Sequence, residues 1–478
     1  MPISSPTDLA RCCAGLLLAA FATAAPARAA DDPARFRALY EELVETDTSL
    51  STGSCTAAAE KMAERLRAGG YSPAEVRVVA PEEFPKQGNL VARIPGSDRS
   101  LEPVLFLAHI DVVEAKRSDW KRDPFTLVEE GGYLFARGAV DDKAMAAAFV
   151  DALLRFREEG FRPKRTIKLA LTCGEETDSV FNGVQHLLAT EPEALRAAFA
   201  INEGGKALLD EAGKYKSVGV EAGQKIYQDF RLVTTAPGGH SARPVPENAI
   251  ARLGAAVGRI NGYRFPVDLI DASRTFFGRS AALYDGQMRA DMAAVGAGTA
   301  DSAAYDRIGA ADPLWNAMLR TTCVVTLIKG GHAENALPQH AEANVNCRLL
   351  PGQTVEGTLE RLKSVASDPK VEIALAAEPG PASPPPPLTP EVLGPIERAA
   401  AAVWPGVPVI PSLSTGATDG RFLTAAGIPT YGVSGMFVDP DGNGVHGLDE
   451  RIRVRSLMEG RTFHYRLMKA YASGDSRP

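Results

Sequence analysis

Short apolar runs alternate with amphipathic stretches through the first half of the chain. Val76–Val79, Leu90–Ile94, Val104–Leu107, Thr166–Thr172 and Ala198–Ile201 are rich in β-branched and aliphatic residues, the pattern of buried strands. Between them, Phe36, Leu39, Tyr40, Leu43 and Val44 mark one face of a helix. Further helical patterns cover Ala57–Ala68, the alanine-rich stretch from Asp141 to Glu159, and Val184–Ala189. Strands alternating with helices predict a largely parallel sheet. Such sheets gather their ligand sites at the carboxyl ends of the strands.

The pattern changes near Val218. Phe230–Thr235, Cys323–Ile328 and Ala343–Leu349 read as strands, with a helix from Asn248, which predicts a small α+β unit with antiparallel pairing. Its middle, 263–320, is alanine-rich and helical in part. Pro379–Pro387 is a stiff, extended connection back to the first unit. That unit is completed by a helix over Glu391–Val403, strands over Val407–Pro411 and Thr430–Val433, and a helix from Val454. A chain of 478 residues is too long for one ordinary core. The predicted fold class is therefore α/β: a mostly parallel sheet catalytic domain flanked by helices (31–217 and 379–478), interrupted by a smaller inserted α+β domain (218–378).

Three features bound the setting. Arg11 precedes the apolar stretch Ala14–Phe21, and Ala27-Arg28-Ala29 forms an A-x-A cleavage signal. Residues 1–30 thus read as a secretory signal peptide, which predicts a periplasmic or secreted protein. The stretch is too short to span a membrane, and no other long apolar run follows. The net charge of -7, with no basic block, argues against nucleic acid as a partner. Four cysteines lie beyond the signal: Cys55, Cys173, Cys323 and Cys347. Without a C-x-x-C spacing they predict no thiolate metal site. Cys323 and Cys347, on two strands of one region, are the pair best placed for a disulfide, with buried free thiols as the alternative.

Acidic and imidazole residues collect at the predicted strand ends: His109 and Asp111, Glu175-Glu176, and Glu203. Asp141 sits on the turn before a helix, and His446 follows in Gly444-Val445-His446-Gly447. A Glu-Glu pair alone is ordinarily a solvated surface, and a lone strand-end histidine a satisfied core residue. Repetition along one edge of one sheet is harder to dismiss. His109, Asp141, Glu176, Glu203 and His446 make a nitrogen and oxygen donor set without sulfur, which suits zinc, or manganese or cobalt in its place. Five ligands exceed one open tetrahedral site and suit two metals about 3.5–4 Å apart, bridged by one carboxylate. Asp141 is the expected bridge. Asp111 is expected to hold the His109 ring in its ligating tautomer, and Glu175 to act as general base toward water.

These motifs resemble the dinuclear zinc aminoacylase and carboxypeptidase family, which includes glutamate carboxypeptidase, succinyl-diaminopimelate desuccinylase and aminoacylase. His109-Ile110-Asp111-Val112-Val113 is similar to its H-x-D-V-V box, followed by Trp120 and Pro124-Phe125. Arg137-Gly138-Ala139-Val140-Asp141-Asp142-Lys143 resembles its R-G-x-x-D-D-K, and Glu175-Glu176, Asn202-Glu203-Gly204 and His446-Gly447 complete the series in the family's order. The resemblance implies that Asp141 bridges two Zn2+, with His109 and Glu203 on one and Glu176 and His446 on the other. It also implies a cis peptide at Asp141–Asp142.

The inserted domain resembles the family's lid and dimerisation domain, which implies a homodimer. By the same resemblance His240 reaches an active site, often the partner subunit's, and polarises the scissile carbonyl. Asn335, Arg348 and Gly416 match positions that bind the substrate carboxylate. Arg348 suits that role chemically, since a guanidinium can grip a carboxylate with two parallel hydrogen bonds. Departures from the family pattern are Glu114, Ala136, Ala144 and Thr177-Asp178, none at a ligand. The implied activity is hydrolysis of an amide next to a free carboxylate, in a carboxypeptidase or dipeptidase manner. The alternative is N-acyl-amino-acid hydrolysis. A non-catalytic binding protein is disfavoured by the full ligand set with Glu175. A dinuclear phosphoesterase would need more phosphate-gripping cations than these motifs offer.

Overall fold

A computed structural model describes residues 31–177 and 179–474. The expected signal segment and Asp178 lie outside the described residues.

The larger sheet is built around four parallel strands, in the order Ile167–Thr172, Val104–His109, Phe199–Asn202 and Thr430–Gly432. Strands Val76–Val79 and Asn89–Ile94 extend one side antiparallel. On the other side Tyr215–Gln224 joins Thr430–Gly432 antiparallel and pairs in parallel with Val409–Ser414. All residues of Val104–His109 and Ile167–Thr172 are buried, as expected where helices cover both faces. The Lys143–Glu158 helix carries the longest buried surface against this sheet and packs on the C-terminal helix Val454–Ala472. Among the described residues no helix is long and apolar enough to cross a membrane.

A second sheet has its own core. Thr322–Gly330, His340–Leu349, Ile226–Thr235 and Val371–Leu375 pair antiparallel throughout. Ala249–Gly262 and Val355–Ala366 cover one face, enclosing Phe230, Leu232, Leu253, Val345 and Leu362. The sheet begins at Ile226, past the change of pattern at Val218, because Tyr215–Gln224 still pairs into the larger sheet. Residues 263–320 fold into four helices, Asp271–Ser280, Gly286–Ala297, Ser302–Ala311 and Pro313–Leu319. Phe277, Met292, Ile308 and Met318 form their core, which also takes in Leu350 and Leu413 from the ends of strands in the two sheets.

Two disulfides are present among the described residues. Cys323 and Cys347 face each other across paired strands, as expected. Cys55 pairs with Cys173, which spacing alone did not indicate because the two lie 118 positions apart. On chain entropy alone, loops of 118 and 24 residues are worth about 5 and about 3.5 kcal/mol. The Cys55→Ser/Cys173→Ser double variant is therefore expected to lower the denaturant midpoint more than Cys323→Ser/Cys347→Ser. Equilibrium urea unfolding of both variants checks the order.

His464 is fully buried against Phe149 and Phe463, and its Nε2 donates to the Ser434 carbonyl at 2.6 Å. It is a core residue. Burial pulls its imidazole down to about 4 from 6.5. The folded state thus stays neutral while the unfolded state takes up a proton below pH 6.5. Stability from this group is full above pH 6.5 and declines toward pH 4, by about 2 kcal/mol between pH 7 and pH 5. Urea midpoints at the two pH values should fall further in the natural chain than in His464→Gln.

Candidate metal centre

The carboxyl ends of the parallel strands carry the acidic cluster. His109 is the last residue of its strand and lies in register beside Thr172. From Thr172 the chain runs through Cys173 and Gly174 (φ 91°) to Glu175-Glu176. That backbone favours glycine, and a side chain at Gly174 would also strike the Phe181 carbonyl. Glu203 follows Asn202 at the end of the neighbouring strand. Asp141 arrives on the turn before the Lys143–Glu158 helix, and its peptide to Asp142 is cis. His446 adopts φ 59°, a left-handed backbone uncommon for a residue with a Cβ and concentrated at functional sites.

These side chains converge as the motifs imply. The two carboxylate oxygens of Asp141 separate: Oδ1 lies 2.9 Å from His109 Nε2 and Oδ2 lies 3.2 Å from His446 Nε2. His446 Nε2 also lies 2.8 Å from Glu176 Oε1. Ligand atoms of His109, Asp141 and Glu176 fall within 4.8 Å of one another, as do those of His109, Glu175 and Glu203. A carboxylate facing one imidazole with each oxygen is placed to bridge.

Asp111 meets the His109 ring chiefly through its backbone. The His109 Nδ1–H donates to the Asp111 backbone carbonyl at 3.1 Å, while the Asp111 carboxylate is 3.6 Å away. That main-chain bond leaves Nε2 facing the cluster. The Asp111 carboxylate instead accepts from the backbone amides of Glu175 at 3.3 Å and Glu176 at 3.0 Å. A strand-end carboxylate turned toward a neighbouring loop finds two amides that no strand partner satisfies.

The cluster carries surplus negative charge. Burial pushes Glu175 up to about 8, with Asp419, Glu176 and Asp111 adding repulsion. Burial likewise raises Glu203 well above the usual range, and Asp141 and Glu175 add to it. Burial works against Asp141 too, yet hydrogen bonds from His109 and His446 hold it below the carboxylate range. Hydrogen bonds to Asp141 and Glu176 raise His446 to about 10. Crowded carboxylates with imidazole nitrogens turned toward them suit divalent cations, and the sulfur-free donor set suits zinc, cobalt or manganese.

Polar residues without a recognised motif tie the strand ends together. Asp419 accepts from Asn182 Nδ2 at 2.6 Å and from Thr172 Oγ1 at 3.3 Å. Thr418 Oγ1 accepts from Asn202 Nδ2 at 3.1 Å and from Gln224 Nε2 at 2.5 Å. The polar run Ser414–Gly420 between two apolar stretches was the available signal. Glu114, at a family departure, accepts from the Ser51 backbone amide and hydroxyl at 2.9 and 2.7 Å.

Arg348 and Gly416 both line a cavity of about 540 Å³ between the two sheets, with Ile226, Tyr227 and Phe422 as apolar wall. Arg348 stacks 4.7 Å over the Tyr227 ring and donates to the Thr415 carbonyl at 3.3 Å. His240 and Asn335 sit elsewhere. They lie together on adjoining exposed loops, where the Ser241 amide donates to the Asn335 carbonyl at 3.0 Å. Neither is among the residues lining the cavity.

A parallel sheet that brings two imidazoles and a ring of carboxylates to one edge defines the class of metal-dependent hydrolases. Sequence comparison agrees: residues 105–470 match the model of peptidase family M20/M25/M40. The chain belongs to that family. It is 30% identical over 400 residues to the N-fatty-acyl-amino acid synthase/hydrolase PM20D1 of Homo sapiens, covering 80% of this chain and 77% of that one. Among solved structures it resembles the M20 family metallo-carboxypeptidase Sso-CP2 of Sulfolobus solfataricus, with a TM-score of 0.65 and 20% identity over 92% of this chain and 100% of that one. It also resembles YXEP of Bacillus subtilis, described as a dinuclear metal binding peptidase, with a TM-score of 0.56 and 14% identity over 91% of this chain and 96% of that one.

Proposed function

We propose that this chain uses two divalent cations, zinc or cobalt or manganese in its place, to hydrolyse an amide next to a free carboxylate. The placement of the two Asp141 oxygens against His109 and His446 carries the reading. His109 and Glu203 would hold one cation, Glu176 and His446 the other, and Asp141 both. Bound there, the cations would supply Lewis acidity to the water and to the scissile carbonyl. Glu175 takes the proton from the attacking water and returns it to the leaving nitrogen. Arg348 and the Gly416 amide grip the substrate carboxylate, which fixes the register of the amide over the cluster.

His240 and Asn335 complete the site from a second copy of the chain. Their exposed position beside each other supports this. So does the outer strand Thr322–Gly330, with Val324, Leu327 and Ile328 more than half exposed and an unpaired edge suited to a homodimer. Two disulfides favour an oxidising compartment and hence export.

Two substrate classes fit this geometry: a peptide losing its C-terminal residue, as in a carboxypeptidase or dipeptidase, and an N-acyl amino acid. The name of the human relative and the apolar cavity wall favour the second. A panel of dipeptides and N-acyl amino acids, each with a carboxamide-blocked twin, tests the proposal. Free acids should be cleaved and their twins at least about 100-fold more slowly, the range for losing a charged, desolvated grip. Equal cleavage of both would refute carboxylate recognition, and the better panel identifies the class.

A further inference from the structure

Asp141 and His446 come from opposite ends of the sequence, and one buried carboxylate joins their loops. Glu450 is 1% exposed. Its Oε2 accepts from Arg137 Nη1 at 2.8 Å and from the Gly138 amide at 2.9 Å. Its Oε1 accepts from the amides of Val140 at 2.8 Å and Asp141 at 3.1 Å. Arg137 continues the link, since its Nη2 donates to the Gly447 carbonyl at 2.6 Å, the residue after His446. The guanidinium lies 4.8 Å from the Trp120 ring centre, which fixes its plane. Short strands Tyr133–Phe135 and Arg451–Arg453 pair just outside this knot.

We infer that Glu450, acting through Arg137 and the 138–141 backbone, is a positioning residue that sets the spacing between Asp141 and His446. Glu450 touches neither the cluster oxygens nor the cleft. It determines where the bridging carboxylate and the exposed histidine stand relative to each other. The inference rests on the two-cation reading of this site.

The chemistry requires a carboxylate. Four donors point at two oxygens, and an ionised carboxylate alone among side chains accepts on both without presenting a donor. Glutamine has the same size, but its NH2 would face two N–H groups or an N–H and the guanidinium. Those buried donors would be left unpaired, and the 137–141 turn would shift to relieve them. His446 has the most to lose, because its ring is more than half exposed and lies on a loop rather than a strand. His109 is buried at the end of its own strand, and Glu203 directly follows one.

The test is zinc titration of chelator-stripped protein by calorimetry, with cobalt absorption spectra of the same proteins. Glu450→Gln should bind the second equivalent at least tenfold more weakly, keep the first within about threefold, and change the cobalt spectrum of the second site. Asp151→Asn, which breaks the buried 2.7 Å Arg461–Asp151 pair, should lower stability and leave both equivalents unchanged. Arg137→Lys, which keeps the charge and loses the fork between Glu450 and Gly447, supplies the same readout if Glu450→Gln does not fold. Natural affinities for both equivalents in a folded variant would overturn the inference. A natural chain that takes up a single equivalent would overturn the two-cation reading instead, and this inference with it.

Discussion

Glu175→Gln is expected to lower kcat by about 10³-fold, within the range for removing a general base, while leaving metal uptake intact. The carboxylate shares one 4.8 Å neighbourhood with His109 and Glu203, yet its backbone is tethered by Asp111 rather than by a ligand. On the proposed function it stands beside the cations as base, with His109 and Glu203 holding the nearer one. Glutamine fills the same space, keeps a carbonyl oxygen toward the site and cannot accept a proton at neutral pH. KM should change little, because on the proposed function the substrate carboxylate is gripped in the cleft by Arg348 and Gly416. Steady-state kinetics with metal analysis on the same sample check both halves. More than a tenth of the natural kcat in a fully metallated variant would remove Glu175 from the base role.

Asp141→Asn should do comparable damage by a different route. The carboxylate places one oxygen toward each imidazole, so an amide offers one neutral oxygen where two charged ones are required. On the proposed function both cation positions share this group, and both should weaken. Expected outcomes are fewer than one tightly bound metal per chain and activity down on the order of 10³-fold, with partial recovery in excess metal. Recovery separates this variant from Glu175→Gln, where added metal should restore nothing. Two tightly bound metals in Asp141→Asn would show that some other group bridges.

The two routes reflect what sequence could convey. Strands ending in chemistry were legible, because an apolar run followed by His109, Glu175 or Glu203 signals both the element and its functional end. A bridging role for Asp141 was expected from the ligand count, and its two oxygens do face the two histidines. The cis peptide and the pairing of Asp141 with both histidines agree with the family resemblance. Contacts between distant loops were not legible. Asp111 was read as partner to the His109 ring, which its backbone carbonyl meets; the hold of its carboxylate on amides in the loop after Thr172 was not legible. Glu450 and Asp419 have no periodicity to expose them, since their partners arrive from far away in the chain. The Cys55–Cys173 bridge was hidden for the same reason. The second sheet began later than its pattern suggested, because Tyr215–Gln224 pairs into the larger sheet.

His240 and Asn335 stand apart from Arg348 and Gly416 within one chain, so the complete substrate site on this account needs a second copy. That makes oligomeric state part of the chemistry rather than an accessory to it.

The most direct test of the account is the metal dependence of amide hydrolysis. Protein stripped by a chelator should be inactive toward N-acyl amino acids and dipeptides. Stepwise zinc addition should restore cleavage until two equivalents per chain are bound, with no further gain beyond. Full activity in the chelator, or a plateau reached at one equivalent, would contradict the two-cation site at Asp141.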